Sequence, residues 1–201
     1  MTVSKILLVR HGQSAWNADG RWQGRADPPL SELGERQAAS AVTSEHAEAV
    51  AHLWASPLKR ASRTAAVIAA GRGLEVRFDA RLMERDAGEW TGLTRDQIEA
   101  GWPGFLADRR RPAGFEPDDA IASRAFEVLH EIAAACAGAT ALVVSHGGLI
   151  RVVERSLGGD APPVANLGGR ELVASAGSLV LGDRLLLLDP DSVEVTAPRQ
   201  L

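Results

Sequence analysis

The sequence predicts an α/β fold: a three-layer sandwich in which a mostly parallel sheet carries helices on both faces and ends in an antiparallel C-terminal hairpin. Three observations predict it. Short β-rich apolar runs recur along the chain, at Ile6-Leu7-Leu8-Val9, at residues 50–55 and at residues 141–144. Amphipathic helical stretches separate them, and this alternation builds parallel sheets. The tail instead sets two strand-like stretches, 172–180 and 184–188, around Gly182-Asp183, which reads as a hairpin.

The first strand runs directly into Arg10-His11-Gly12, and residues 13–29, rich in Gly, Asn, Asp and Trp, read as a long loop. Ser31 is the expected N-cap of a helix whose stripe is Leu33, Ala38, Ala41 and Val42 and which fades near His46. After the second strand, Ser56-Pro57 has the pattern of an N-cap followed by proline at the first helical position. The helix it opens, residues 58–70, is expected to stop at Gly71 or Gly73. Residues 75–78 form a third strand, 79–93 a loop containing Glu84, and Thr94 caps a short helix through Ala100.

Residues 102–117 carry a basic run and the turn formers Pro112, Gly114 and Pro117, and read as a mobile cap. A long helix then runs from Asp118 to about Ala137, with Ile121, Ala125, Val128, Leu129, Ile132 and Cys136 on one stripe. A strand at residues 140–145 and a helix at residues 148–157 follow.

The chain has 201 residues and is 45% hydrophobic, enough apolar material for one domain spanning residues 1–201. Its net charge of -4 supplies no global basic field for nucleic acid or anionic membranes, so any anion site must be built locally. Cys136 is the single cysteine, which excludes an internal disulfide and a thiolate zinc cluster. The N-terminus lacks a secretory pattern and no apolar stretch approaches the roughly 20 residues of a membrane helix, so a cytoplasmic protein is expected.

The chemistry concentrates at strand ends. Arg10 and His11 follow the first strand, Arg60 lies in the first turn of the helix after the second, and Ser145-His146-Gly147-Gly148 follows a later strand. In a parallel sheet these positions converge beyond the carboxyl ends of the strands. A guanidinium grips phosphate oxygens through paired, charge-assisted bonds, and a neutral imidazole can carry a phosphoryl group. At an effective dielectric near 20, one charge about 4 Å from another contributes on the order of 4 kcal/mol, so Arg10 and Arg60 can hold a phosphate strongly. The same cations should keep His11 neutral and able to attack.

Metal ligation by His11, His146 and Glu84 is disfavoured, because two adjacent arginines repel a dication. No cofactor is expected: Gly147-Gly148 belongs to neither a Walker sequence nor a complete Gly-x-Gly-x-x-Gly. His46, His52 and His130 have no motif neighbours. Arg109-Arg110-Arg111 reads first as a solvated charged face, with selection of an acidic substrate as the alternative. Trp22, Trp90 and Trp102 are candidates to line an apolar substrate pocket, whereas Trp54 and Cys136 read as core.

Taken together, the motifs resemble the histidine phosphatase superfamily, in the branch that also holds cofactor-dependent phosphoglycerate mutases. They are Leu8-Val9-Arg10-His11-Gly12-Gln13-Ser14 with Asn17, Gln23-Gly24, Leu30-Ser31-Glu32-Leu33-Gly34, Ser56-Pro57-Leu58-Lys59-Arg60-Ala61, Glu84 with Gly88-Glu89-Trp90-Thr91-Gly92, and Ser145-His146-Gly147-Gly148. The resemblance covers nearly the whole chain. It implies that His11 is transiently phosphorylated, that Arg10, Arg60 and His146 hold the phosphoryl oxygens, and that Glu84 donates the proton. It also implies that Asn17, Gln23, Gly24 and Gly147 bind substrate. Two departures stand out: Gln13, where many relatives carry glutamate, and Phe115-Glu116-Pro117, where relatives commonly show Gly-Glu-Ser.

The activity so implied is metal-independent hydrolysis of a small phosphate monoester, with phosphoglycerate mutase activity as the alternative and a non-catalytic phosphate- or phosphoprotein-binding module as a third reading. The retained Glu84, dispensable for binding, argues for catalysis. The exposed edge of the C-terminal hairpin could pair with a second copy of the chain.

Overall fold

The computed structural model describes residues 3–136, 138–175 and 177–197. Six strands, β1 (Ser4–Arg10), β2 (Val50–Ala55), β3 (Val76–Phe78), β4 (Thr140–Ser145), β5 (Gly168–Ser175) and β6 (Ser178–Leu186), form one sheet in the order β3-β2-β4-β1-β5-β6. The first four are mutually parallel, and β5 and β6 add antiparallel at one side. Among the described residues, the α-helices are α1 (Ala15–Ala18), α2 (Glu32–Ser40), α3 (Glu45–Glu48), α4 (Lys59–Arg72), α5 (Arg95–Gly101), α6 (Asp118–Cys136) and α7 (Gly147–Ser156).

Strand β1 shows why the sheet has two covered faces. Ile6 and Leu8 pack with α6 and α7 residues such as Leu129 and Leu149, while Leu7 and Val9 pack with Ala61, Ala65 and Ile68 of α4. Period-2 alternation therefore places consecutive apolar side chains in two separate cores. Each fully buried Leu or Ile contributes about 1.5–3 kcal/mol. Trp54 and Cys136 lie in the α6–α7 core, as expected.

The register sets up the site. Arg10 lies opposite Ser145 and Ala55 opposite Val144, so the residues after β1, β4 and β2 leave the sheet at one level. These are His11, His146 and Ser56.

Several element boundaries differ from expectation. The long loop contains α1, whose N-cap Ser14 forms a reciprocal capping box with Asn17. The helix capped by Ser31 ends at Ser40 and continues as a 3-10 turn (Ala41–Thr43) and α3, because Ser44 is extended. Ser56 does not cap α4. The N-cap is Leu58, and the Lys59 N–H is taken by Asp27 from the long loop. Helix α4 runs through Gly71, which packs against Val42, and ends at Gly73 in the left-handed conformation, φ 66°. Thr94 caps α5 with Gln97, as expected. Helix α7 begins at Gly147 with His146 as N-cap. The expected last residue of the long helix, Ala137, lies outside the described residues.

The hairpin turn falls before Ser178, not at Gly182-Asp183. Arg170 pairs with Arg184 but Leu172 pairs with Leu181, so β6 carries one extra residue there. The glycine marks a bulge, the other structure that favours it within a strand. Residues 102–117 form successive turns, and Phe115 packs against Trp22 and Trp90.

Candidate active site

His11 is fixed from three sides. Its N–H donates to the Ser145 carbonyl (3.0 Å), its carbonyl accepts from Asn166 Nδ2 (2.8 Å), and its ring Nδ1 lies 2.6 Å from the Gly12 carbonyl. A carbonyl only accepts, so Nδ1 carries the proton and a neutral His11 keeps its lone pair on Nε2. Burial, then Arg60 and Arg10, holds the His11 pKa well below the usual histidine value.

The close packing behind His11 explains a second motif. A Cβ on Gly34 would lie 2.0 Å from the Gln13 carbonyl oxygen, so only glycine lets α2 approach this turn. Ser31, the cap of α2, also donates to Gln13 Oε1 (2.7 Å), which gives Gln13 a supporting role.

Both arginines are anchored by backbone carbonyls. Arg60 Nη1 and Nη2 donate to Ala26 (2.7 Å) and Gly24 (2.9 Å), and Arg10 Nη1 donates to Val164 (2.9 Å). Burial pulls each guanidinium down to about 10 against the favourable charge of Glu84, which leaves both charged at neutral pH. Among the described residues, the Nε atoms of Arg10 and Arg60 and Nδ1 of His146 are buried with no hydrogen-bond partner.

His146 meets His11 edge to face, ring centroids 5.1 Å apart, and its Nε2 lies 2.8 Å from Ser56 Oγ. Ser56 Oγ already accepts from the Leu58 N–H (3.3 Å), so its own proton is available to Nε2. In the tautomer in which Ser56 donates to Nε2, a neutral His146 carries its proton on Nδ1. Burial first, then Arg60, His11 and Arg10, lowers its pKa well below the histidine norm.

Glu84 lines the same cleft as Arg10, His11 and Arg60. Its Oε1 accepts from the Arg85 N–H (2.8 Å) and its Oε2 from the Gly148 N–H (3.0 Å) at the start of α7. The loop carrying it is tied to α6 by Arg124, which donates to the Arg81 and Met83 carbonyls and pairs with Glu116 (2.8 Å). Glu116, central in Phe115-Glu116-Pro117, also accepts from the Asp86 N–H.

Asn17, Gln23, Gly24 and Gly147 all line the cleft, so the structure gathers the sequence-predicted residues in one place. His146 is the exception: it stands fully buried beside His11 and is not part of the cleft wall. Of the three candidate tryptophans, Trp22 alone lines the cleft. Trp90 is fully buried against it, ring centroids 5.2 Å apart, because its indole fills the space under Trp22, and Trp102 lies outside the wall.

Sequence reasoning passed over Arg21, Arg85, Val164 and Asn166. Arg85 was one residue from a singled-out carboxylate. Val164 and Asn166 sit in a loop with no periodic signal and contribute through backbone or amide bonds. Among the described residues, no three of His, Cys, Asp and Glu come together as a metal-holding group, and no helix is long and apolar enough to cross a membrane.

The family model described as histidine phosphatase superfamily (branch 1) matches residues 6–167. Glucosyl-3-phosphoglycerate phosphatase of Mycolicibacterium vanbaalenii is 32% identical over 193 residues, covering 88% of this chain and 86% of the relative. Probable phosphoglycerate mutase GpmB of Cronobacter sakazakii is 39% identical over 150 residues, covering 71% of this chain and 69% of the relative. The solved structure of a mycobacterial glucosyl-3-phosphoglycerate phosphatase in complex with VO3 superposes with a TM-score of 0.78 at 30% identity, covering 90% of this chain and 97% of that one.

Proposed function

We propose that this chain, which belongs to the histidine phosphatase superfamily (branch 1), hydrolyses a phosphate monoester through a phosphohistidine at His11, without a metal. The observation that carries this reading is the set of buried, partnerless nitrogens around His11: Arg10 Nε, Arg60 Nε and His146 Nδ1. Buried donors without acceptors are costly, and phosphoryl oxygens would satisfy all three.

The chemistry follows from the geometry. His11 Nε2 attacks phosphorus while the ester P–O bond breaks and the leaving oxygen takes a proton from Glu84. Developing negative charge on the phosphoryl oxygens meets donors already in place. Nδ1–H, held by the Gly12 carbonyl, stabilises the positive charge that forms on the ring. In the second half, Glu84 takes a proton from water, water oxygen bonds phosphorus, and the N–P electron pair returns to Nε2. On this reading residues 102–117 cap the leaving-group side.

The similarity to a probable phosphoglycerate mutase supports a second reading, in which the phosphoryl group returns to another hydroxyl. One assay separates them: inorganic phosphate release from a panel of phosphomonoesters including 3-phosphoglycerate, with chelator present, product isomers recorded and His11→Ala as control. Chelator-resistant release lost in His11→Ala is expected. Isomerisation of 3-phosphoglycerate without release would establish the mutase, and no turnover of any ester would overturn both.

A further inference from the structure

A second cavity opens beside the catalytic cleft and shares three wall residues with it, Trp22, Arg85 and Gly148. Its remaining wall is strongly cationic. Arg109 and Arg111 come from the turns before α6, and Arg151 and Arg155 from α7, and among the described residues these arginines, with Arg85, face two aspartates, Asp118 and Asp160.

The two acids do not neutralise the wall. Asp118 pairs with Arg85 and Arg155, and Asp160 pairs with Arg184. Among the described residues, Arg111 and Arg151 have no carboxylate partner within ion-pair distance. Arg111 stacks over the Trp90 and Phe115 rings, 5.7 and 5.3 Å to the centroids, and Arg151 Nε donates to the Ala161 carbonyl (3.0 Å). Burial and mutual repulsion depress both guanidinium groups: Arg85 acts on Arg111, and Arg155 and Arg85 act on Arg151. A bound anion relieves that repulsion.

The position of this annex relative to the chemistry gives it a role. The proton goes to the oxygen of the departing alcohol, so Glu84 marks the leaving-group side. Two of the shared wall residues hold Glu84 by their backbone N–H groups, Arg85 and Gly148. The body of the alcohol therefore extends past them into the arginine-lined space.

We infer that the preferred substrate is a phosphomonoester whose alcohol itself bears an anion, a carboxylate or a second phosphate, held by Arg111 and Arg151. The inference rests on the phosphatase reading above and specifies its substrate class. Arg111 and Arg151 are specificity residues here, outside the group-transfer machinery.

The test compares matched esters. Glycerol 3-phosphate and 3-phosphoglycerate differ at the far carbon, hydroxymethyl against carboxylate, and propane-1,3-diol bisphosphate supplies a second phosphate. With p-nitrophenyl phosphate as the basal probe, the wild-type protein should favour at least one anionic alcohol over glycerol 3-phosphate by about tenfold or more in kcat/KM. Whichever of the two is favoured identifies the anion. Arg111→Gln and Arg151→Gln should each shrink that ratio to within about threefold and leave p-nitrophenyl phosphate hydrolysis unchanged. Arg151→Lys should keep most of the preference, which separates charge from the structural bond to Ala161.

A ratio near one in the wild type, or a ratio unmoved in both Gln variants, overturns the inference while basal hydrolysis still upholds the phosphatase reading. If no ester turns over, that reading fails, and the same comparison is made as equilibrium binding to the wild-type protein by calorimetry. A preference of about tenfold for the anionic compounds then upholds the annex, and equal binding overturns it.

Discussion

The backbone N–H of Gly148 holds Oε2 of Glu84 at 3.0 Å, and a Cβ added to Gly148 would lie 2.4 Å from Oε1 of the same carboxylate. One glycine thus positions the acid and makes room for it. At Gly147 a Cβ would meet Arg10 Cδ at 3.5 Å, an ordinary contact. Gly148→Ala should therefore lower kcat by roughly 10- to 100-fold, part of the range general acid–base catalysis supplies, while Gly147→Ala stays within about threefold of wild type. Steady-state kinetics on any turned-over ester checks the pair, and equal losses would remove Glu84 from the argument.

Ser56→Ala should leave His146 Nε2 buried and unpaired. The expected cost is about 1–3 kcal/mol of stability, as for a lost buried partner, with a drop in kcat/KM of about tenfold as the His146 tautomer is released. Urea denaturation and kinetics on the same preparation read both. Ser56→Thr should retain most activity, because the hydroxyl is kept.

Arg60→Lys tests geometry against charge. Lysine keeps the cation but cannot span the Gly24 and Ala26 carbonyls and still direct a donor at phosphate. A loss of roughly 100-fold or more in kcat/KM is expected. A loss under about fivefold would reduce Arg60 to a point charge.

Both histidines have folded-state pKa values well below 6.5, for burial first and neighbouring arginines second. The unfolded chain thus binds more protons than the folded one between the depressed values and 6.5, and stability rises with pH across that window. It is fully present above about pH 6.5 and is lost as pH falls below it, by up to about 1.4 kcal/mol per pH unit per histidine. Urea midpoints at pH 5, 6, 7 and 8 should fall on the acid side only. The acid-side fall should be shallower in His146→Gln.

Much of this site was legible because its residues sit where regular elements end. The runs before Arg10 and Ser145 are apolar on both faces and read as central strands, and strand ends in a parallel sheet converge. What could not be read depends on side chains crossing between distant segments. Ser56 has the composition of a helix cap, and only the register of β2 against β4 turns it toward His146. Asp27, 32 residues from Lys59, takes over the capping by accepting from the Lys59 N–H. Gly182 signalled a turn, but a bulge satisfies the same conformational preference, and local sequence does not distinguish the two. The arginines of the annex come from three segments, so neither the run at 109–111 nor Arg151 alone announces a shared cavity.

The most direct test of the account is rapid quenching of the wild-type protein into alkali during turnover, followed by peptide mass spectrometry. Phosphohistidine should accumulate on His11, survive alkali, disappear in acid and be absent from His11→Ala. Turnover that leaves His11 unmodified at every quench time, or a phosphoryl group found on another residue, would contradict it.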